Sequence, residues 1–190
     1  MIKLISKFGM PNYFGYQRFG KDVKDNLEKA EELLFGEKEI KDKKVAKMLL
    51  SAYQSTFFNA WLVERLRLDK SEFKLLNGDV FFDIKSSKLF TPNSINEKII
   101  NDFKNQLIIP TGLLPGRDVF KSRDEALKIE QRYDDSSINE KGYRREAIVF
   151  PKNIVCKYDM ENKICSLDFV LPKGSYATVL VEFLANRNFS

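Results

Sequence analysis

The sequence predicts an α+β protein, and two observations carry that prediction. Several long stretches space their apolar side chains at i, i+3 and i+4, which indicates amphipathic helices. The last part of the chain alternates short apolar runs with turn residues, which predicts antiparallel strands. The 190 residues, 43% of them hydrophobic and 13% aromatic, suffice for one domain or two small ones, each with its own core.

The N-terminal part is predicted to be helical on both sides of one irregular loop. Residues 2–8 have the pattern of the end of a helix, which Gly9 stops in the left-handed conformation. Residues 22–35 predict a charged amphipathic helix closed by Gly36. Residues 45–68 predict a long helix with a broad apolar face.

The middle of the chain mixes short elements. A turn at 77–79 leads into a strand at 80–84, and a helix follows at 94–104. Ser94 is its predicted N-cap, with Glu97 in the capping-box position.

Two further elements follow before residue 141. Residues 107–109 are apolar and run into a predicted loop at 110–117, which is rich in glycine and proline. Residues 122–133 predict a helix of mixed charge capped by Ser122.

The last fifty residues predict strands. Residues 143–151 give a basic start and then a buried strand that ends at a proline. Residues 153–158 and 163–171 predict a hairpin in which Cys156 lies opposite Cys165. A reduced pair of thiols is expected there, since no feature of the chain points to an oxidising compartment.

The two ends of the chain carry its excess of positive charge. The net charge is +5, and it lies in residues 1–45 and 141–190, while the middle is neutral. A terminal helix is predicted at 175–186, with Ser175 as its N-cap. Attraction to phosphate would then come from the terminal segments, although a randomly spread surface charge explains the same counts.

Composition limits the chemistry. The chain has no histidine and only two cysteines, so a metal site is not expected. No run of apolar residues is long enough to span a membrane, and the N-terminus lacks the apolar segment of a signal peptide. These features predict a cytoplasmic protein without a metal site.

The segment Gly9–Gly20 is the strongest functional signal. It combines several glycines, a proline, aromatic rings, an Asn, a Gln and an Arg without any helical or strand period. Rings beside amides and a guanidinium suit the stacking and edge recognition of an unstacked base. The alternative is a surface loop whose rings fill the core.

This segment resembles the G-x-P-N-Y-F-G-x-Q-R-F-G signature of TruD-type tRNA pseudouridine synthases at every fixed position. The resemblance implies that Asn12 helps to form the pocket of the target uridine and that Phe14 stacks on the extruded base. It also implies that Gly15, Gln17 and Arg18 support the loop.

Two C-terminal blocks extend the resemblance. Gly142-x-Arg144-Arg145 and the segment 171–178 look like the C-terminal blocks of the same family, in the same order. Arg144, Arg145 and Lys173 are therefore expected to hold RNA phosphates. Glu182 and Phe183 stand where the family commonly has an Arg-Glu pair, so no arginine contact is expected from the terminal helix.

The catalytic aspartate of the family is not expected in this chain. In the family it belongs to a lysine-aspartate block well before the loop, and only eight residues precede Gly9 here. Lys41-Asp42-Lys43-Lys44 imitates that block but follows the loop, so it reads as a solvated linker. The missing segment is expected as a partner, and strand edges left open by its absence predict self-association.

The resemblance implies a partial catalytic domain of mainly antiparallel sheet with helices, at 1–45 and 141–190. An inserted α/β TRUD-type domain would occupy 46–140. The expected function is isomerisation of uridine, usually uridine 13, to pseudouridine in tRNA, a reaction for which the resemblance implies no metal or organic cofactor. This chain is expected to supply the base-stacking loop and to have no activity alone. The alternatives are an inactive module that binds structured RNA and a structural fragment without a function of its own.

Overall fold

A computed structural model describes residues 2–187. The helices in this part of the chain are α1 Ile2–Phe8, α2 Val23–Leu34, α3 Lys43–Leu66, α4 Glu97–Lys104, α5 Asp124–Glu130 and α6 Ala177–Ala185. The strands are β1 Met10–Pro11, β2 Phe81–Asp83, β3 Lys88–Phe90, β4 Ile108–Leu114, β5 Tyr143–Glu146, β6 Ile148–Val149, β7 Lys152–Asp159 and β8 Ile164–Val170. Short 3-10 turns occur at Tyr16–Arg18 and Gln131–Tyr133.

The strands form antiparallel pairings, and the predicted α+β class is confirmed. A four-stranded sheet has the order β3-β2-β4-β5, while β1 pairs with β6 and β7 pairs with β8 in two-stranded sheets. No helix among residues 2–187 combines the length and apolar character that a membrane crossing requires.

The long helix α3 packs on the four-stranded sheet. Its Phe58, Trp61 and Leu62 are buried in the largest core cluster of the described chain. Gly112 of β4 lies directly under this helix, where an added Cβ would come within 2.3 Å of a ring carbon of Trp61. The close approach of helix and sheet therefore needs glycine at this position.

A buried ion pair joins α3 to the turn before β2. Nη1 of Arg65 lies 2.6 Å from Oδ1 of Asp79, and the two side chains are only 1% and 3% exposed. Arg65 also donates to the carbonyl oxygen of Lys74, and Asp79 accepts from the backbone N–H of Leu76. These extra hydrogen bonds offset the cost of removing both charges from water.

The predicted loop at 110–117 is wrong, because β4 continues through it to Leu114 with every residue buried. The carbonyl oxygen of Pro110 accepts from the N–H of Ala147, and Gly112 makes room for α3. Glycine and proline ordinarily interrupt strands, and here tertiary packing reverses that preference. No pattern in the sequence predicted strand β3.

Three predicted N-caps are wrong by one or two residues. Helix α4 is capped by Asn96, whose side chain accepts from the N–H of Ile99, and not by Ser94. The cap position of α5 is Arg123, and that of α6 is Tyr176 in place of Ser175. Ser122 does not cap α5. Its backbone N–H donates to the buried carboxylate of Glu130.

The hairpin β7–β8 forms as predicted, but its register differs by two residues. Cys156 lies opposite Leu167, and Cys165 lies opposite Tyr158. The two thiols are nevertheless diagonal neighbours with their sulfur atoms 3.2 Å apart, and both are unoxidised and exposed. The strand predicted at 143–151 is divided into β5 and β6, which join different sheets.

The predicted division into domains at residues 45 and 140 stays a prediction. Strand β5, from the C-terminal segment, pairs with β4 of the proposed insertion in a single sheet. Self-association through open strand edges likewise stays a prediction.

Replacing Asp79 by Ala tests the buried ion pair. The variant leaves the Arg65 guanidinium buried without its carboxylate, so we expect the free energy of unfolding to fall by about 3–5 kcal/mol. Urea denaturation followed by circular dichroism measures the loss. The control is Asp134→Ala, which breaks the more exposed pair with Lys121 and should cost less than about 1 kcal/mol. Equal losses in both variants would contradict a special role for burial.

Candidate functional site

The segment Gly9–Gly20 is anchored against the C-terminal part of the chain. Gly9 ends α1 with a positive φ of 73°, and an added Cβ there would collide with Ile148. Met10 and Pro11 then pair with Val149 and Ile148. The start of the loop is therefore fixed by a strand pairing.

Asn12 is buried, with its amide group held at both ends. Its Nδ2 donates to the carbonyl oxygen of Glu146 over 2.9 Å, and its Oδ1 accepts from Nη2 of Arg145 over 2.7 Å. Its backbone N–H donates to the carbonyl oxygen of Ala147. The side chain is thus set in one orientation by the strand segment 145–147.

Arg145 connects the loop to the segment before α6. Its guanidinium donates to the carbonyl oxygens of Asn12, Tyr13 and Gly174 as well as to Oδ1 of Asn12. Its Cζ lies 3.9 Å from the ring centre of Phe14, in a cation–π contact. Burial lowers the pKa of Arg145 to about 10. The structure therefore does not support the expected phosphate contact, because Arg145 is committed to the protein itself.

Phe14 lies at the centre of an aromatic cluster. Its ring meets Phe58 edge-on at 5.6 Å and Tyr176 at 6.1 Å between ring centres. Asn59 of α3 clamps its backbone, since Oδ1 accepts from the N–H of Phe14 and Nδ2 donates to its carbonyl oxygen. The ring is only partly buried. Its stacking on a base stays a prediction.

Gly15, Gln17 and Arg18 each contact an element outside the loop. An added Cβ on Gly15 would lie 3.1 Å from the ring of Tyr176, so glycine allows the approach of the segment before α6. The Oε1 of Gln17 accepts a hydrogen bond from the hydroxyl of Thr178. Nε of Arg18 donates to Ser55, and its Nη2 donates to the hydroxyl and carbonyl oxygens of Ser51. These contacts join the loop to α3 and α6, and the supporting role of the three residues stays a prediction.

A cavity of about 330 Å³ opens beside Asn12. Its walls come from β2, β4 and β5 on one side and from the chain on both sides of the hairpin on the other. The polar side chains on its lining are Asn12, Gln106, Glu146, Lys152, Lys173 and Ser175. Lys173 is exposed, as its predicted contact with phosphate requires. The structure thus brings Asn12 and Lys173 to one cavity, while Phe14 lies outside its lining.

Arg144 is not part of the cavity lining, and its burial speaks against its prediction. Its side chain is 2% exposed, and Nη1 lies 2.7 Å from Oε2 of the equally buried Glu130. It also donates to Thr111 and to the carbonyl oxygen of Phe120. Burial lowers the pKa of Arg144, and the neighbouring carboxylate of Glu130 opposes that effect. In this structure the Arg144 guanidinium is therefore committed to contacts within the protein.

Sequence reasoning missed the residues of α3 that hold the loop. Ser51, Ser55 and Asn59 are spaced by four, so they form one polar stripe along a largely apolar helix. All three make hydrogen bonds to the loop, through Arg18 and the backbone of Phe14. A polar stripe on a largely apolar helix is the sequence pattern that could have identified these three residues. For Glu146 and Lys152, which also line the cavity, the sequence holds no comparable signal.

Comparison with known proteins shows similarity over nearly the whole chain. The family model of tRNA pseudouridine synthase D (TruD) matches residues 38–183. The tRNA pseudouridine synthase D of Sulfurimonas denitrificans is 40% identical over 98% of this chain, and those of Wolinella succinogenes and Nitratiruptor are 37% and 36% identical over the same share. The chain covers 59% of the length of each of these relatives.

A solved structure shows the same fold. The crystal structure of a putative tRNA pseudouridine synthase D from Methanosarcina mazei superimposes with a TM-score of 0.70, covering 98% of this chain and 63% of that one. The sequence identity is 19%, so this likeness concerns the fold alone. The family model and the curated relatives together show that this chain belongs to the TruD family of tRNA pseudouridine synthases.

Proposed function

We propose that this chain forms the part of a tRNA pseudouridine synthase that receives the target base and binds the RNA around it, with uridine 13 as the target. The observation that carries this proposal is the cavity beside Asn12. Arg145 fixes the amide of Asn12 on the cavity wall, and exposed Lys173 lies on the same lining. A polar amide and a cation around one partly apolar cavity suit a single nucleotide.

The dimensions of the site fit one nucleotide. A volume of about 330 Å³ lies at the lower end of the range that small-molecule pockets have. A base inside an RNA stack cannot enter such a cavity, so the target must be extruded at a cost of a few kcal/mol. Contacts of Lys173 and Lys152 with phosphates would help to offset that cost, because both lysines line the cavity.

The essential carboxylate is proposed to come from outside these residues. Pseudouridine formation needs an aspartate as nucleophile or base, as the resemblance implies. We infer that this aspartate belongs to a segment equivalent to the part of the relatives that this chain does not cover. That segment would be the partner of this chain besides tRNA, and the pair would work in the cytoplasm. Among the residues that line the cavity, Glu146 is the acidic one.

Pseudouridine mapping of tRNA tests the proposal. Carbodiimide modification followed by primer extension, after incubation with this chain alone, should give no stop next to position 13. Addition of the segment equivalent to the rest of a relative should produce the stop. A stop with this chain alone would mean that a carboxylate in this chain acts, and Glu146→Gln would then be the variant to measure. Binding without modification in both cases would favour an RNA-binding module without catalysis.

Replacing Lys173 by Ala tests the phosphate contact. We expect tRNA affinity to fall and the slope of log K against log salt to become shallower by about one unit, since one phosphate contact is lost. Filter binding at several salt concentrations measures both quantities. The control is Lys24→Ala, which removes an exposed lysine of α2 away from the cavity. An unchanged slope in Lys173→Ala would exclude Lys173 from the RNA interface.

Replacing Phe14 by Ala tests base stacking. We expect binding of tRNA to weaken by about 1–3 kcal/mol if the ring stacks on the base. The matched control is Tyr16→Ala, because Tyr16 is an aromatic residue of the same loop and is 45% exposed. Urea denaturation of both variants separates a loss of binding from a loss of folding. Equal affinities for wild-type and Phe14→Ala protein, with both folded, would exclude stacking on Phe14.

A further inference from the structure

We propose that Asn12 offers the cavity an N–H donor and not an oxygen, and that Arg145 is the positioning residue that fixes this choice. The cavity then selects a ligand with an acceptor at this point, namely a carbonyl oxygen of a uracil base. The identity of the ligand rests on the proposed function, whereas the orientation of the amide does not.

The orientation of the amide follows from its two partners. The guanidinium of Arg145 can only donate, so the atom 2.7 Å from its Nη2 must be Oδ1 of Asn12. The carbonyl oxygen of Glu146 can only accept, so the atom 2.9 Å from it must be Nδ2. Both partners lead independently to the same assignment. Rotating the amide by half a turn would set a donor against a cation and an oxygen against an oxygen.

Arg145 is itself held too firmly to follow a rotated amide. Four of its hydrogen bonds go to oxygen atoms of the protein, and its guanidinium lies against the ring of Phe14. Three of those oxygens are backbone carbonyls, which cannot turn to compensate. The donor of Arg145 facing Oδ1 of Asn12 is therefore fixed in place.

We infer from the residues that line the cavity that the Nδ2 end of the amide faces it. Glu146, whose carbonyl oxygen binds Nδ2, lines the cavity together with Asn12, and Arg145 is not part of that lining. Nδ2 carries two hydrogens, and the bond to Glu146 uses one of them. The second hydrogen is left for a ligand, which must present an acceptor.

Uracil fits this requirement because it carries two carbonyl oxygens. Cytosine has one carbonyl oxygen and replaces the other with an amino group, which is a donor. A phosphate oxygen is also an acceptor and could satisfy the same hydrogen. The experiment must therefore separate a base carbonyl from a phosphate.

Side-chain amide signals in nitrogen-15 NMR spectra of the 190-residue chain test the orientation directly. The pair of Asn12 signals is assigned by its loss in Asn12→Ser. In the free protein we expect one of the two hydrogens to exchange with water at least tenfold more slowly than the other, because Glu146 holds it. Two equally fast hydrogens would overturn the proposed orientation without reference to RNA.

Arg145→Lys tests the positioning role. Lysine keeps the charge but cannot form the planar fork, so the Asn12 pair should lose its slow hydrogen while signals far from the loop keep their positions. The matched control is Arg18→Lys, since Arg18 bonds to Ser51 and Ser55 and not to Asn12. An unchanged Asn12 pair in folded Arg145→Lys protein would overturn the role of Arg145. If that variant does not fold, the exchange measurement on the wild-type protein still decides the orientation.

Titration with uridine 5′-monophosphate and ribose 5-phosphate identifies the acceptor. The two probes share sugar and phosphate, so a shift of the fast Asn12 hydrogen with the uridine nucleotide alone supports a base carbonyl. Equal shifts with both probes would assign the hydrogen to phosphate, and no shift with either would exclude uracil from this donor. Failure of tRNA to bind at all would refute the proposed function while leaving the exchange result in the free protein unaffected.

Discussion

A single guanidinium, that of Arg145, ties together the parts of this structure that matter for function. It joins the loop, the strand β5 and the segment before α6, and it lies on the ring of Phe14. No carboxylate hydrogen bonds to it among the contacts described, so carbonyl dipoles and an aromatic face must stabilise a largely buried charge. That constraint explains why the backbone carbonyl oxygens of Asn12, Tyr13 and Gly174 all accept hydrogen bonds from this guanidinium.

Long helices and the hairpin could be predicted from the sequence because each shows its period locally. The spacing of apolar residues over many positions predicts helix α3, and a specific string of residues identifies the loop at Gly9–Gly20. The identity of the family follows from that string and from the C-terminal blocks. Each of these patterns depends only on residues close together in the sequence, so it can be read without knowledge of the tertiary contacts.

Features that depend on distant neighbours could not be predicted. Pro110 and Gly112 look like loop residues until the helix above them is known. Arg144 and Arg145 are adjacent and chemically identical, and both suggest phosphate contacts in the sequence. In the folded chain, however, Arg144 forms an ion pair with the buried carboxylate of Glu130, and Arg145 donates hydrogen bonds to carbonyl oxygens of the loop. Only Lys173 of the three predicted cations stays exposed.

The pairing of β4 with β5 has a consequence for synthesis on the ribosome. Thr111 of the fully buried β4 finds its partner Glu146 only after the intervening α5 and its flanking segments have been made. At about 5–20 residues per second, β4 waits several seconds with the backbone N–H and C=O groups of one edge unpaired. The nascent chain is then most exposed to wrong strand pairing, and it leaves that state only when β5 emerges. The four-stranded sheet therefore cannot be completed before residue 146 has been made.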